Sequence, residues 1–206
     1  MLKDRTEAGI RLSKLLLPYR HEDVIVLAIP RGGVVLGYEI AKALKAPLDL
    51  IFAHKIGHPL QEEFAIAAIS EEGYVVGDPK QFQNVNQKWL ENEKQKVLTE
   101  MKRRRNLYLK GKPKSNLTNK TVILVDDGIA TGLTLRAAIL EVKHAKPKKI
   151  IVATAVAPKS TAESIKNDVD EFVALIIDPD SQFLGAVGAY FDAFPQVEDQ
   201  AVMKLL

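Results

Sequence analysis

The stretch VILVDDGIATGLT, residues 122–134, decides how this chain of 206 residues is read. Four apolar residues run into two adjacent carboxylates, Asp126 and Asp127, and then into a Thr-Gly-x-Thr turn. A continuous apolar, β-branched run of this kind marks a strand buried on both faces. Carboxylates set side by side at its end repel, so they need hydroxyls, a cation or basic groups as partners. The vicinal hydroxyls of a sugar supply donors to both, and Mg²⁺ can be shared nearby. The ATGLT segment then opens a helix, and its first backbone N–H groups, with the hydroxyls of Thr131 and Thr134, suit a phosphate dianion. Gly128 and Gly132 permit close backbone approach. A sugar diol beside a phosphate describes a ribose 5-phosphate. The plainer alternative is an Asp-rich turn followed by a capping threonine.

Outward from this stretch, strands and helices alternate. Toward the N-terminus, VIVLAI (residues 24–29) reads as a buried strand, followed by PRGG and a helix over VVLGYEIAKALKA. PLDLIFAH reads as a second strand, KIGHPLQEE as a polar loop, and FAIAAISEEGYVVGD as two short strands around a Glu-Glu-Gly turn. A first helix precedes these, capped by Asp4 or Thr6, with Ile10, Leu12, Leu15, Leu16 and Leu17 mostly on one face. Between residues 81 and 110, Leu90, Val97, Leu98 and Met101 keep helical spacing among charges, which predicts one long amphipathic helix or two shorter ones. Beyond the quoted stretch, TLRAAILEVKHA and STAESIKN read as helices, KIIVATAVA and EFVALII as strands, and residues 178–206 as an irregular tail with a short terminal helix. The pattern predicts one domain over residues 1–206: an α/β fold with a mostly parallel sheet flanked by helices, a helical insert at about 80–115 and a small hood at about 178–206. In such sheets ligands bind beyond the carboxyl ends of the strands. PRGG, HKIGHP and DDGIATGLT all fall at such ends.

Composition narrows the classes. Apolar residues make up 47% and charged residues 27%, as in an ordinary globular protein, and the net charge is only +3. With no cysteine, disulfides and thiolate metal sites are excluded. The N-terminal residues mix charges with spaced apolar positions, unlike a signal peptide. The longest apolar runs are about a third of a membrane span. A soluble, cytoplasmic protein without a membrane partner is expected.

The DDGIATG motif in its strand-loop-helix setting resembles the ribose-phosphate signature of type I phosphoribosyltransferases, which bind 5-phosphoribosyl 1-pyrophosphate (PRPP). The basic insert and the tail FLGAVGAYFDAFPQVED resemble one poorly understood branch of that family. The resemblance runs from about residue 4 to the end. It implies that Asp126 and Asp127 hold the ribose 2- and 3-hydroxyls and lie beside Mg²⁺, while Ala130, Thr131, Gly132, Leu133 and Thr134 wrap the 5-phosphate. IPRGGVVLG resembles the family's pyrophosphate loop, often built around a non-proline cis peptide. There Pro30, Arg31, Gly32 and Gly33 would meet the leaving group, Arg31 with a fixed positive charge. Lys55 is the implied second contact to pyrophosphate. His54 stands where related sequences commonly carry arginine. Glu63, in the implied mobile loop, either binds Mg²⁺ or supports charge on the sugar, or is a solvated surface residue.

One position departs from some purine-salvage relatives. Where they carry an aspartate that shuttles the acceptor proton, this chain has Ala130, so the motif names no catalytic base. Phe183, Tyr190 and Phe191 supply rings either to stack on a planar base or to pack a hood core. The run KRRR (residues 102–105) reads as a solvated face, an oligomer contact, a phosphate-reaching arm or an electrostatic contact to nucleic acid. The resemblance implies Mg²⁺-dependent transfer of ribose 5-phosphate from PRPP to a nitrogen acceptor of nucleobase type, with release of pyrophosphate, in a homodimer. Two rival readings remain open. One is a PRPP-sensing regulatory protein without turnover, although no helix-turn-helix segment supports nucleic acid as its partner. The other is an enzyme acting on a different phosphorylated sugar.

Overall fold

The computed structural model describes residues 1–206, except the side chains of Glu62, Glu63 and Gln83. Its centre is a parallel sheet of β1 (Val24–Ala28), β2 (Leu48–Leu50), β6 (Thr121–Asp126), β7 (Lys149–Pro158) and β8 (Glu171–Asp178), ordered β2-β1-β6-β7-β8. Alternation across the pleat divides the buried side chains of these strands between two layers. Val24, Val26, Ile123, Val125 and Ile151 face α1 (Arg5–Leu16) and α2 (Gly32–Leu44). Ile25, Leu27, Val122, Leu124 and Val152 face α5 (Leu133–His144) and α6 (Lys159–Lys166). Both faces being covered is why the strands read as unbroken apolar runs.

From β1 the chain moves outward to β2 on one side, and from β6 it moves outward to β7 and β8 on the other. The order therefore reverses between β1 and β6, which pair in parallel with Ala28 opposite Val125. A crevice at the carboxyl ends of these two strands is where such a topology accepts a ligand.

A second sheet, antiparallel, contains β3 (Ala53–His58), β4 (Gln61–Ser70) and β5 (Val75–Gly77) in the order β3-β4-β5. It packs against α5 on one side and, through Ile56, Ile66 and Ile69, against α4 (Gln87–Leu109) on the other. The chain between β5 and α4 forms the short α3 (Pro79–Gln83), and the tail ends in α7 (Asp199–Leu205). The expected loop over KIGHPLQEE is therefore corrected: most of it belongs to the β3–β4 hairpin, with a register shift at Gly57. The expected second strand is also divided, with β2 in the parallel sheet and Ala53 opening the antiparallel one.

The inward face of α1 differs from the sequence expectation as well. Leu12 and Leu16 are buried, but Ile10, Leu15 and Leu17 are exposed. Arg5, Ala8, Gly9 and Ser13 share the buried stripe instead. Gly9 sets this rotation, because a Cβ there would lie 2.9 Å from Leu36 Cα on α2. Asp4 caps the helix, accepting a hydrogen bond from the Glu7 backbone N–H at 2.8 Å.

Candidate active site

The loop after β6 lies against its neighbours through the backbone. Ile129 N–H donates to Val156 O at 2.8 Å, and Thr161 Oγ1 donates to Ala130 O at 2.8 Å. Gly132 has φ +74°, the left-handed region, and serves as N-cap of α5 without a capping side chain. The first N–H groups of α5 therefore have neither intrahelical acceptors nor a side-chain cap, which suits an anion. A cleft of about 200 Å³ opens here, lined by Lys55, Asp126, residues 128–135 and Val187. Thus Gly128, Ala130, Thr131, Gly132, Leu133 and Thr134 share one cleft with Lys55.

The two aspartates differ in their surroundings. Asp126 accepts from the backbone N–H of Asp127 at 2.9 Å. Burial first, then the charge of Asp127, pushes the Asp126 carboxyl well above its usual range, with Lys55 and Arg5 opposing the shift. Asp127 is also pushed up by burial, but it has a partner that lowers it, Arg5. Arg5 Nε donates to Asp127 Oδ2 at 2.6 Å and Nη1 to Pro195 O at 2.6 Å, with the guanidinium 3.5 Å from the ring centroid of Phe194. Sequence reasoning missed Arg5. Its signal was a cation seven positions before Leu12, on the stripe that the helix buries.

The loop after β1 packs directly on this pair. The Pro30–Arg31 peptide is cis. A Cβ on Gly32 would lie 1.8 Å from Asp127 Oδ2, and one on Gly33 would lie 2.6 Å from Val125 O. Only glycine allows the loop to lie this close to the end of β6. Arg31 itself does not line the cleft. Its Nη1 lies 3.5 Å from Asp199 Oδ1 on α7, and Tyr108 Oη at the end of α4 donates to the same oxygen at 2.6 Å. Neither Tyr108 nor Asp199 was singled out in the sequence, and neither carries a local signal.

Lys55 and His54 are adjacent on β3 and serve opposite faces. Lys55 reaches the cleft, whereas His54 faces α4, near Arg104 and Glu100. Burial, and then the charge of Arg104, lowers the His54 pKa, so the ring favours its neutral form. The Glu63 side chain lies outside the described residues.

The tail meets the cleft through Val187, whose Cγ1 is where a Cβ on Gly128 would collide, at 2.1 Å. Tyr190 and Phe191 are buried, with Phe183 packed on Tyr190 at 5.6 Å and Phe194 on Phe191 at 4.8 Å between centroids. Those rings form a core and not an open stacking surface. The basic run is also not a uniform solvated face. Arg103 and Arg104 both bind Glu100, while Arg105 is partly buried against Glu71 and the Leu50 carbonyl.

Among the described residues no cluster of three or more His, Cys, Asp or Glu side chains is placed to hold a metal. Asp126 and Asp127 offer oxygen donors of the kind Mg²⁺ accepts, in the one or two carboxylates it commonly takes beside phosphate oxygens. The donor set fits a cation that arrives with a phosphorylated ligand. Among the described residues no helix is long and apolar enough to cross a membrane.

Comparison with known proteins places the chain in a family. The chain is 36% identical to TT1426 of Thermus thermophilus, whose crystal structure superposes with a TM-score of 0.81 over 99% of this chain and 96% of that one. The fold alone is shared with AQ2163 of Aquifex aeolicus, at 14% identity and a TM-score of 0.55, covering 85% of this chain and 75% of that one. The curated Mycobacterium tuberculosis protein named "Putative phosphoribosyl transferase Rv0571c" is 34% identical over 208 residues, all of this chain and 46% of the relative. The chain thus spans about half the length of that relative. Residues 5–191 match the family model described as "Phosphoribosyl transferase domain", and the chain belongs to that family.

Proposed function

We propose that the chain transfers the ribose 5-phosphate of PRPP to a nitrogen acceptor of the nucleobase class, releasing pyrophosphate. The observation that carries this reading is one cleft, at the point where strand order reverses, combining Asp126, Lys55 and the uncapped start of α5. Residues 130–134 would hold the 5-phosphate through backbone N–H groups and the hydroxyls of Thr131 and Thr134. Asp126 and Asp127 would accept the ribose hydroxyls, which favours their ionised forms. Lys55 and the loop Pro30–Gly33 would receive pyrophosphate. The C1–O bond to pyrophosphate breaks with its electron pair on oxygen, and the acceptor nitrogen's lone pair forms the C1–N bond. Catalysis then comes from positioning and fixed charge. Mg²⁺, when bound beside Asp126 and Asp127, would neutralise charge on the leaving group. The same reading takes residues 1–206 as one domain with its hood at 178–206, acting in the cytoplasm as a homodimer.

The test is calorimetric binding of PRPP with Mg²⁺, together with pyrophosphate release across a panel of purines, pyrimidines and simple amines. Replacing both Asp126 and Asp127 with Asn should weaken PRPP by about 100-fold, as expected for losing charge-assisted hydrogen bonds. Unchanged affinity in that variant would overturn the reading. PRPP binding with no release across the panel would favour a sensor.

A further inference from the structure

A second cavity, of about 260 Å³, lies between β3 and α4 and shares no lining residue with the cleft described above. The separation follows from strand geometry, since neighbouring side chains on β3 point to opposite faces, Lys55 to one cavity and His54 to the other. The cavity does reach the pyrophosphate loop, because Pro30 forms part of its wall.

Its chemistry is specific. Phe52, Val97 and Met101 make an apolar floor, with Phe52 and Met101 buried. The volume approaches that of the smallest ligand pockets and suits one or two fused rings. The rim carries excess positive charge. Glu100 is bound by two arginines, Arg103 and Arg104, each through Nε at 2.7 Å, and they hold its carboxyl at about 2. Lys96 is paired with Glu93, so the rim and its partners comprise three cations and two anions. The two terminal nitrogens of Arg104 make no hydrogen bond among the described residues.

We propose that this cavity is a second ligand site for a flat one- or two-ring molecule bearing one anionic group, and that its occupancy alters PRPP affinity through Pro30. The ring lies on Phe52, Val97 and Met101, and the anionic group meets Arg104. The effect on PRPP rests on the reading of Pro30–Gly33 as the pyrophosphate loop; the binding itself does not.

The probe is 1-naphthoate, titrated calorimetrically into the full chain. One saturable site is expected. Arg104→Gln should weaken naphthoate by about tenfold, the cost of one charge-assisted hydrogen bond. It should leave the neutral 1-naphthalenemethanol unaffected. Val97→Trp, and separately Met101→Trp, should fill the space and abolish binding while the circular dichroism spectrum stays native. No saturable binding, or binding that survives both Trp variants, overturns the site. PRPP titrations at rising naphthoate should shift to a plateau, because coupling between two sites is finite. A shift without limit marks competition in one cleft and overturns the proposal, and no shift overturns the effect on PRPP. Absence of PRPP binding in naphthoate-free protein would instead sink the transferase reading, while the naphthoate titration still decides the cavity.

Discussion

The ends of β1 and β6 are paired neighbours, and each runs through a glycine-bearing loop into a helix, yet they use their residues differently. After β6 the chemistry stays mostly local: Asp126 and the whole of residues 128–135 face one cleft, while Asp127 turns to a distant partner, Arg5. After β1 the loop contributes backbone, while the one charged side chain, Arg31, turns to Asp199 and Tyr108 from distant segments. Short side chains such as Asp and Thr act within reach of their own backbone, so spacing alone predicts where they work. A long side chain finds its partner through tertiary packing, which spacing does not encode.

If the β1 loop acts by close approach, its glycines should be the most sensitive positions on that side. Gly32→Ala would drive a methyl group to 1.8 Å from Asp127 Oδ2. Asp127 is held by Arg5 and has little freedom to move aside. The expected cost is about 1–3 kcal/mol of stability from overpacking, read by urea denaturation. The loss of turnover, about 100-fold, follows from misplacing groups that must act together. Near-normal turnover in Gly32→Ala would mean that the close approach is incidental.

Comparable in size is the effect of the pair that joins the two loops to the tail. Arg5 and Asp127 have side chains only 10% and 16% exposed, so removing the cation strands a buried carboxylate. Arg5→Gln should cost about 3 kcal/mol at neutral pH. The pH dependence has a definite sign. Burial raises both aspartates, and Arg5 lowers Asp127, so its loss raises Asp127 further. A carboxylate raised in the folded state favours folding at low pH and withdraws that support as pH rises through its folded value. The deficit of Arg5→Gln should therefore shrink on acidification, as Asp127 takes up a proton and no longer needs a partner. On the proposed reading PRPP binding needs the ionised pair, so its acid limit should move to higher pH in the variant. Chemical denaturation and calorimetry from acid to neutral pH would check both. A deficit independent of pH would refute the assignment of Arg5 to the charge of Asp127.

The contrast between local and distant partners also explains what the sequence concealed. The parallel core was legible because strands covered on both faces must be apolar throughout. The hairpin tip was not, since β3 and β4 there are held by pairing, and Gly57, Pro59 and polar neighbours break any alternation. The two missed arginines share a cause. Arg5 continues the stripe of Leu12 and Leu16, and Arg105 that of Met101 and Tyr108, at spacings of three, four and seven. A cation on an apolar stripe asks for a buried acid, and each has one, Asp127 and Glu71. Reading α1 by its leucines alone turned the wrong face inward.

A smaller effect tests whether Arg31 leaves Asp199 for ligand. The pair is 3.5 Å apart and partly exposed, so Asp199→Asn should change stability by less than about 1 kcal/mol. Pyrophosphate affinity should rise in that variant, because the guanidinium loses its resident anion. It should fall about tenfold in Arg31→Gln, by the loss of one charge-assisted contact. Equal affinity in Arg31→Gln and the parent would assign Arg31 to holding α7 and leave Lys55 and the loop backbone as the pyrophosphate contacts.

A signal of similar size belongs to Tyr108, which shares Asp199 with Arg31. Burial first, and then its hydrogen bond to Asp199, pushes the Tyr108 phenol from 10 up to about 12. A phenol raised on folding contributes stability that is intact below its unfolded value and is lost as pH climbs through its folded one. The anchor of α7 on α4 should thus weaken between pH 10 and about 12. Tyr108→Phe should lose about 1 kcal/mol at neutral pH, the net worth of one hydrogen bond, and show less of that alkaline decline. Tyr19 is also pushed to about 12, so the measurement must compare tyrosinate absorbance in both proteins rather than in one. If the alkaline limbs of the two stability curves coincide, Tyr108 is held by packing on Phe52 and not by Asp199. The distant partner of Arg31 would then stand on the ion pair alone.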